Sequence, residues 1–344
     1  MSTKSTRATI SDVAKAANTG KTSVSRYLNG EHQLLSDDLK HRIKQAISDL
    51  NYSPSQMARS LKHGRTKLIG LLIADITNPY SIEVMGGVET ACRDNGFTLL
   101  MCNTNNKPHL EQHYLQLLSS YQVEGIIVNA ANMQESAFDC IQHTQIPLTL
   151  IDRKVSNYDY DVVGLDNFQG SVDITQHLID NHYRSLLFIS EPLAQVNTRK
   201  ERLEGFLSVV TPHDEITAEH AEVSLDNSEL LHHTIATFID RNRHQPAAII
   251  TANGTLMLLV TKVLHAIKLV WGQDIGLASF DEMNWSSIAG CGITTLQQPT
   301  QQIGYSAFQN ILTRLKHFEN PAQETRFEGR LIVRPSSQAL INKN

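Results

Sequence analysis

Lys21, Thr22, Ser25 and Arg26 fall within one short stretch of a 344-residue chain, and their types suit the reading of nucleic acid. Arg pairs bidentately with guanine, while Lys and hydroxyl groups serve base edges or phosphates. Val24 and Leu28 define the apolar face of a helix predicted from about Lys21 to Leu28, and the four polar residues lie largely off that face. Asn29, just past its end, joins the candidate DNA-contacting set. The elements that must hold this helix are legible around it. Thr9-Ile10-Ser11-Asp12 fits a capping box, and Val13, Ala14 and Ala17 give the helix behind it an apolar side. Asn18-Thr19-Gly20 then breaks that helix with residues that tolerate a left-handed backbone. Two helices about such a turn make a helix-turn-helix, whose second helix can enter a major groove. Ser36 caps a third helix, with Leu39, Ile43, Ala46, Ile47 and Leu50 at helical spacing.

Charge points the same way. Residues 1–67 hold 12 Lys and Arg against 5 Asp and Glu, a net of +7. The remaining 277 residues hold 18 against 30, a net of −12. A basic head on an acidic body is what phosphate binding with counterion release requires. A solvated basic tail would not carry three capped apolar periodicities.

After Pro54 a second, very short helix is expected over Ser55–Lys62. One or two turns of helix are marginal alone in water, so this hinge needs an external partner to order it. From Lys67 onward, short apolar runs alternate with helical segments. Strands are expected at Leu68–Ile73, Thr98–Cys102, Ile126–Val128, Leu148–Ile151 and Val162–Leu165. A second series follows at Leu186–Ile189, Val223–Leu225, Ala248–Ile250, Ile275–Ser279 and Thr294–Leu296. The alternation predicts parallel α/β sheets covered by helices, and two series predict two lobes.

Open α/β sheets bind ligands beyond the C-terminal ends of their strands. The polar residues there are Asp75, Asn78, Asp152, Arg153, Asp166, Asn167, Ser190, Asn253, Asp281 and Glu282. Each is also a natural turn former or helix cap. Trp285 suits a ligand wall or a core equally well.

Other classes lose support. No run of 18 apolar residues predicts a membrane span, and Met1–Arg7 has no secretory h-region, so a cytoplasmic protein is expected. The four cysteines are scattered and read as reduced thiols. His109 and His113 share a helix face without a third ligand, so no metal or cofactor is expected. Neither G-x-G-x-x-G after the first strand nor G-x-x-x-x-G-K-[ST] is present, which counts against a nucleotide-dependent enzyme. A transporter's sugar-binding component would carry a signal peptide and no DNA head.

The ordered series "ATISDVAKAANTGKTSVSRYLNG", "LNYSPSQMARSL" and "IGLLIADITNPY" resembles the LacI/GalR transcriptional repressors along nearly the whole chain. Within that family, "GGVETACRDNGF", "VEGIIVN", "ITANG" and "FDEMNW" look most similar to repressors that respond to 2-ketogluconate. The chain departs at the turn, where the family usually has Ala-Gly-Val-Ser and this sequence has Ala17-Asn18-Thr19-Gly20.

The resemblance implies a helix-turn-helix domain over 1–53, a hinge over 54–67 and a two-lobed periplasmic-binding-protein-like body over 68–344. Lobe 1 would take about 68–165 and 298–328, and lobe 2 about 166–297 and 329–344. It implies Leu61 as an apolar wedge in the minor groove of double-stranded operator DNA. It implies effector contacts from Arg202, in the family's R-x-x-G-F pattern, and from Asp281. Asn253 matches the Asn of a family Asn-Asp pair, whose Asp is Gly254 here. Asp166, Asn78 and Trp285 complete the expected effector set. The implied partners are operator DNA, a small sugar acid (2-ketogluconate, with 2-keto-3-deoxygluconate and gluconate as rivals) and a second copy of the chain. No heptad repeat follows Val333, so no added tetramerisation coil is expected.

Overall fold

The computed structural model describes residues 8–53, 65–129, 135–142, 144–155, 159–193 and 196–338. The chain divides into two compact units that meet between Lys67 and Leu68.

In the first unit, Thr9 caps α1 (Ile10–Ala16), and its capping box with Asp12 is complete in both directions. Asn18 takes a left-handed φ of 48°, which lets the chain turn tightly into α2 (Lys21–Leu28). Ser36 caps α3 (Asp37–Asp49) by accepting from the Leu39 amide. Val13, Ala14, Ala17, Val24, Ile43 and Ala46 close a small core among the three helices. Arg42 of α3 donates to the carbonyl of Ala17, tying the turn to the third helix.

The second unit contains two six-stranded sheets. The first uses β1 (Leu68–Ile73), β2 (Thr98–Asn103), β3 (Gly125–Asn129), β4 (Leu148–Ile151), β5 (Asp161–Leu165) and β11 (Glu324–Phe327). Its order is β11-β5-β4-β3-β1-β2, and every pair is parallel. The second uses β6 (Ser185–Ser190), β7 (Thr217–Glu222), β8 (Ala247–Thr251), β9 (Gly276–Phe280), β10 (Thr294–Gln297) and β12 (Arg330–Ile332). Its order is β12-β10-β9-β8-β6-β7, with β12 antiparallel to β10. Central strands such as β1 are buried on both faces, which explains their unbroken apolar sequence.

Helices α4 (Pro79–Asp94), α5 (Pro108–Ser120) and α6 (Asp139–Gln142) connect strands of the first sheet. Helices α7 (Asn167–Asp180), α8 (Asn197–Val210), α9 (Ser228–Arg241) and α10 (Gly254–Ala266) connect those of the second. The chain passes between the lobes at β5 to α7, at β10 to α11 (Thr300–Lys316), and at β11 to β12. Helix α11 returns to lobe 1 and packs against α4 at backbone contact. A Cβ on Gly87 would lie 2.2 Å from the Gln301 carbonyl oxygen, and one on Gly304 would lie 2.1 Å from that of Val84.

One expected strand is misplaced. Residues 223–225 follow the observed β7 rather than forming it. The strand lies at the sheet edge with no buried residue, so it has no apolar run to read; buried Val223 is the first residue after it.

Candidate functional site

The recognition helix is shaped by one buried residue. Val24 is fully buried, which turns Lys21, Thr22 and Arg26 to solvent; Asn29 is exposed at the C-cap and Ser25 is half-buried. Gly20 supplies no side-chain cap to α2, so among the described residues no side chain caps the first amides of the helix. Leu61 and the expected hinge helix lie outside the described residues.

The two-lobed unit contains a cavity of about 390 Å³ between its lobes, at the C-terminal ends of both sheets. Asp152 follows β4 in lobe 1 and Asp281 follows β9 in lobe 2, both in left-handed conformation with φ of 66° and 73°. Asp is among the few residues that tolerate this backbone. Asp281 is buried; its carboxylate accepts from the Gly254 amide at 2.9 Å and from Gln298 Nε2 at 2.6 Å. A Cβ on Gly254 would fall 2.0 Å from the Met283 methyl, so a larger residue there needs that flexible side chain to shift.

Arg202 of α8 is buried and already held. Its Nε donates to Asn167 Oδ1 at 2.8 Å, its Nη1 donates to the Ala252 carbonyl, and its Cζ stands 4.1 Å from the Phe280 ring centroid. Among the described residues, none accepts a hydrogen bond from its Nη2. Asn78 lines the cavity but uses Oδ1 to cap α4. Asn253 lines it too, capping α10 with Oδ1 and donating to Glu191 Oε2 at 2.7 Å. Trp285 forms part of the wall. Asp166 is not among the lining residues; it caps α7 by accepting from the Gln169 amide.

Several further polar lining residues were not singled out in the sequence. Tyr80, Glu191, Arg199 and Gln298 border the cavity, as does Asn129. Arg199 was recoverable, since it lies one turn before Arg202 on the same helix face. It pairs with Glu191 at 2.6 Å. Gln298 was recoverable by the same strand-end rule, just past β10.

Four lining side chains hold buried polar atoms without a hydrogen-bond partner: Tyr80 Oη, Asn129 Nδ2, Asp152 Oδ1 and Gln298 Oε1. Tyr80 and Asp152 are close enough to influence each other, yet they do not meet in hydrogen-bonding geometry. Burial pushes the Asp152 carboxyl up, with Tyr80 and Arg202 pulling it back. Burial, then the Asp152 charge, raises the Tyr80 phenol well above its usual value. Arg153, from the loop after β4, makes no hydrogen bond or ion pair among the described residues. Burial, then the charge of Arg199, lowers its guanidinium to about 10, so it stays cationic at neutral pH. The cavity therefore offers free donors, free acceptors and an uncommitted cation, the complement of a polyhydroxylated anion.

Known proteins place this architecture. A model of bacterial regulatory proteins of the lacI family matches residues 9–55. A second, describing periplasmic binding proteins and the sugar binding domain of the LacI family, matches residues 66–334. The chain belongs to the LacI family. Its relatives include the HTH-type transcriptional regulator PtxS of Pseudomonas aeruginosa, 40% identical over 96% of both chains. The HTH-type transcriptional regulator KdgR of Bacillus subtilis is 35% identical over 95% of this chain and 97% of its own. A crystal structure of the Lac repressor dimer bound to operator and an anti-inducer shares the fold, with a TM-score of 0.82 at 18% identity over 97% of this chain and all of the other. This LacI-family member is a DNA-binding transcriptional regulator, not an enzyme. LacI-family repressors bind operator DNA and small-molecule effectors, typically as dimers. Among the described residues, no helix is long and apolar enough to cross a membrane.

Proposed function

We propose that this regulator is a cytoplasmic homodimeric repressor of sugar-acid catabolism genes, released or engaged by a sugar acid such as 2-ketogluconate bound between the lobes. The observation that carries this reading is the set of four unpartnered buried polar atoms around a cavity that also holds Arg153 and the free edge of Arg202. Hydroxyl groups of the ligand would satisfy Tyr80, Asn129, Asp152 and Gln298. Its carboxylate would meet the arginines, whose planar forks suit that geometry. Asp281, Asn253, Asn78 and Trp285 would shape the remaining wall; Asp166 would act through the cap of α7. Lys21, Thr22, Ser25, Arg26 and Asn29 would read base edges and phosphates, with Leu61 as the minor-groove wedge. Domain limits of 1–53, 54–67 and 68–344 fit this division of labour. The effector acts only through its differential affinity for two lobe arrangements.

The test is calorimetry with 2-ketogluconate, 2-keto-3-deoxygluconate, gluconate and D-fructose, followed by gel-shift on genomic fragments. D-fructose replaces the carboxylate of 2-ketogluconate by CH2OH and keeps the other hydroxyls. Saturable heat with an acid, none with D-fructose at equal concentration, and an acid-dependent gel-shift are expected. Equal binding of the ketose and the acid would overturn the anionic assignment.

A further inference from the structure

Asn167 opens α7 directly after the chain first crosses from lobe 1 to lobe 2, and it is buried. Its two amide atoms face different partners. Oδ1 accepts from Arg202 Nε at 2.8 Å, while Nδ2 donates to the Leu165 carbonyl at 3.1 Å and to Glu201 Oε2 at 3.3 Å. A guanidinium only donates, and a carbonyl or carboxylate only accepts, so the amide has one orientation here. Glu201 precedes Arg202 on α8, and its carboxylate is gripped from lobe 1. Arg326 of β11 donates to it through Nη1 and Nη2, each at 3.2 Å. Arg326 Nε is set by Glu324 at 2.7 Å, and Glu324 pairs with Lys154 at 2.6 Å. Beside this fork the backbone ties two of the crossings together, the Asp166 amide donating to the Phe327 carbonyl at 2.8 Å. An unbroken series of hydrogen bonds thus runs from lobe 1 through Glu201 and Asn167 to a guanidinium in the cavity wall.

We propose that Asn167, Glu201 and Arg326 are positioning residues for the effector: they aim Arg202 into the cavity and make that aim depend on how the lobes sit. This rests on the effector reading above and adds to it three residues, none of which lines the cavity. The two parallel bonds between Arg326 and Glu201 fix both separation and angle, so the fork forms only when β11 and α8 stand as they do here. When the lobes part, Glu201 loses its fixed place, and Asn167 loses the brace that points its Oδ1 at Arg202. A ligand carboxylate therefore meets an aimed guanidinium only in the arrangement that keeps the fork. Effector binding and fork formation favour each other by the same free energy.

Calorimetry of the full-length protein with 2-ketogluconate reads the positioning. Arg326→Gln and Glu201→Met should each weaken binding roughly three-fold or more, although they change the charge near the cavity in opposite senses. Weaker binding in the first and tighter binding in the second would reduce the fork to a distant charge effect and overturn the proposal. A double-mutant cycle then tests the route. In an Arg202→Lys background, which lacks Nε, Arg326→Gln should change affinity markedly less than in wild type. Asn167→Leu, similar in volume and unable to make either bond, should blunt the response to Arg326→Gln in the same way. An undiminished response in both backgrounds would overturn the relay and leave the fork as a general brace between the lobes. The cycle of Arg326→Gln with Arg202→Lys is also read without ligand, by thermal unfolding. The Tm shifts should depart from additivity by about 1 °C or more. Additive shifts would separate the fork from Arg202 and overturn the relay. If wild type gives no heat with 2-ketogluconate, the effector reading falls, while the unfolding cycle still decides whether Arg326 and Arg202 are coupled.

Discussion

Arg202 stacks on Phe280, its Cζ 4.1 Å above the ring centroid, while its Nε is fixed by Asn167. The guanidinium is therefore pre-oriented before any ligand arrives, and little freedom remains to be lost on binding. Arg202→Ala should cost roughly 2–5 kcal/mol of 2-ketogluconate binding, because the ligand carboxylate loses a desolvated partner. Gel-shift should still find a competent DNA head that no longer responds. Undiminished calorimetric heats would remove Arg202 from the site.

Arg26 is exposed on the face of α2 opposite buried Val24. Arg26→Ala should lose roughly 1–3 kcal/mol of specific operator affinity with the circular dichroism spectrum unchanged. Loss of equal size on every DNA sequence would reassign it from base to phosphate.

Leu61→Ala should weaken operator binding while effector affinity of the free protein stays the same, since a minor-groove wedge acts only on bent DNA. Calorimetry that showed effector binding collapsing as well would place Leu61 in the packing of the body.

The contact between α4 and α11 depends on glycine. Gly87→Ala and Gly304→Ala each place a methyl against a backbone carbonyl, and each should destabilise the effector-binding unit by roughly 1–3 kcal/mol. Denaturant titration of each single variant measures this, and unchanged midpoints would show that the helices can part freely.

Asp152 carries a pH signature. Its carboxyl is raised in the folded protein by burial, so the folded state binds its proton more tightly than the unfolded chain does. The stability it contributes is full below the ordinary carboxylate range and is lost as pH rises through the folded value. Asp152→Asn removes that loss. Its ligand-free Tm should exceed wild type by about 2 °C or more at neutral pH, with the gain disappearing in acid. A gain independent of pH would contradict the assignment.

The head and both sheets were legible because their signals are local: the Thr9 capping box, Asn18 at the turn, and apolar strands buried on two faces. The edge strand β7 was not, because Glu219, His220 and Glu222 satisfy an exposed strand without any apolar run. At the cavity, strand ends revealed Asp152, Arg153 and Asp281 together but could not rank them. Which arginine is committed depends on partners distant in sequence: Asn167 and Ala252 hold Arg202, whereas none of the described residues hydrogen-bonds Arg153.

The pairing of β11 with β5 also bears on how the protein is made. Lobe 1 supplies five of its strands early and its sixth only after five of the six strands of lobe 2 have been synthesised, an interval of about 160 residues. At typical elongation rates of about 5–20 residues per second, that delay is roughly 8–32 s. Throughout it, β5 presents an unpaired backbone edge, and α4 lacks the helix that later covers it. The nascent chain thus has a finished DNA-reading head and a half-built first lobe while the second lobe emerges. Chaperone demand during synthesis should be concentrated in that window and end when residues 300–327 clear the ribosome.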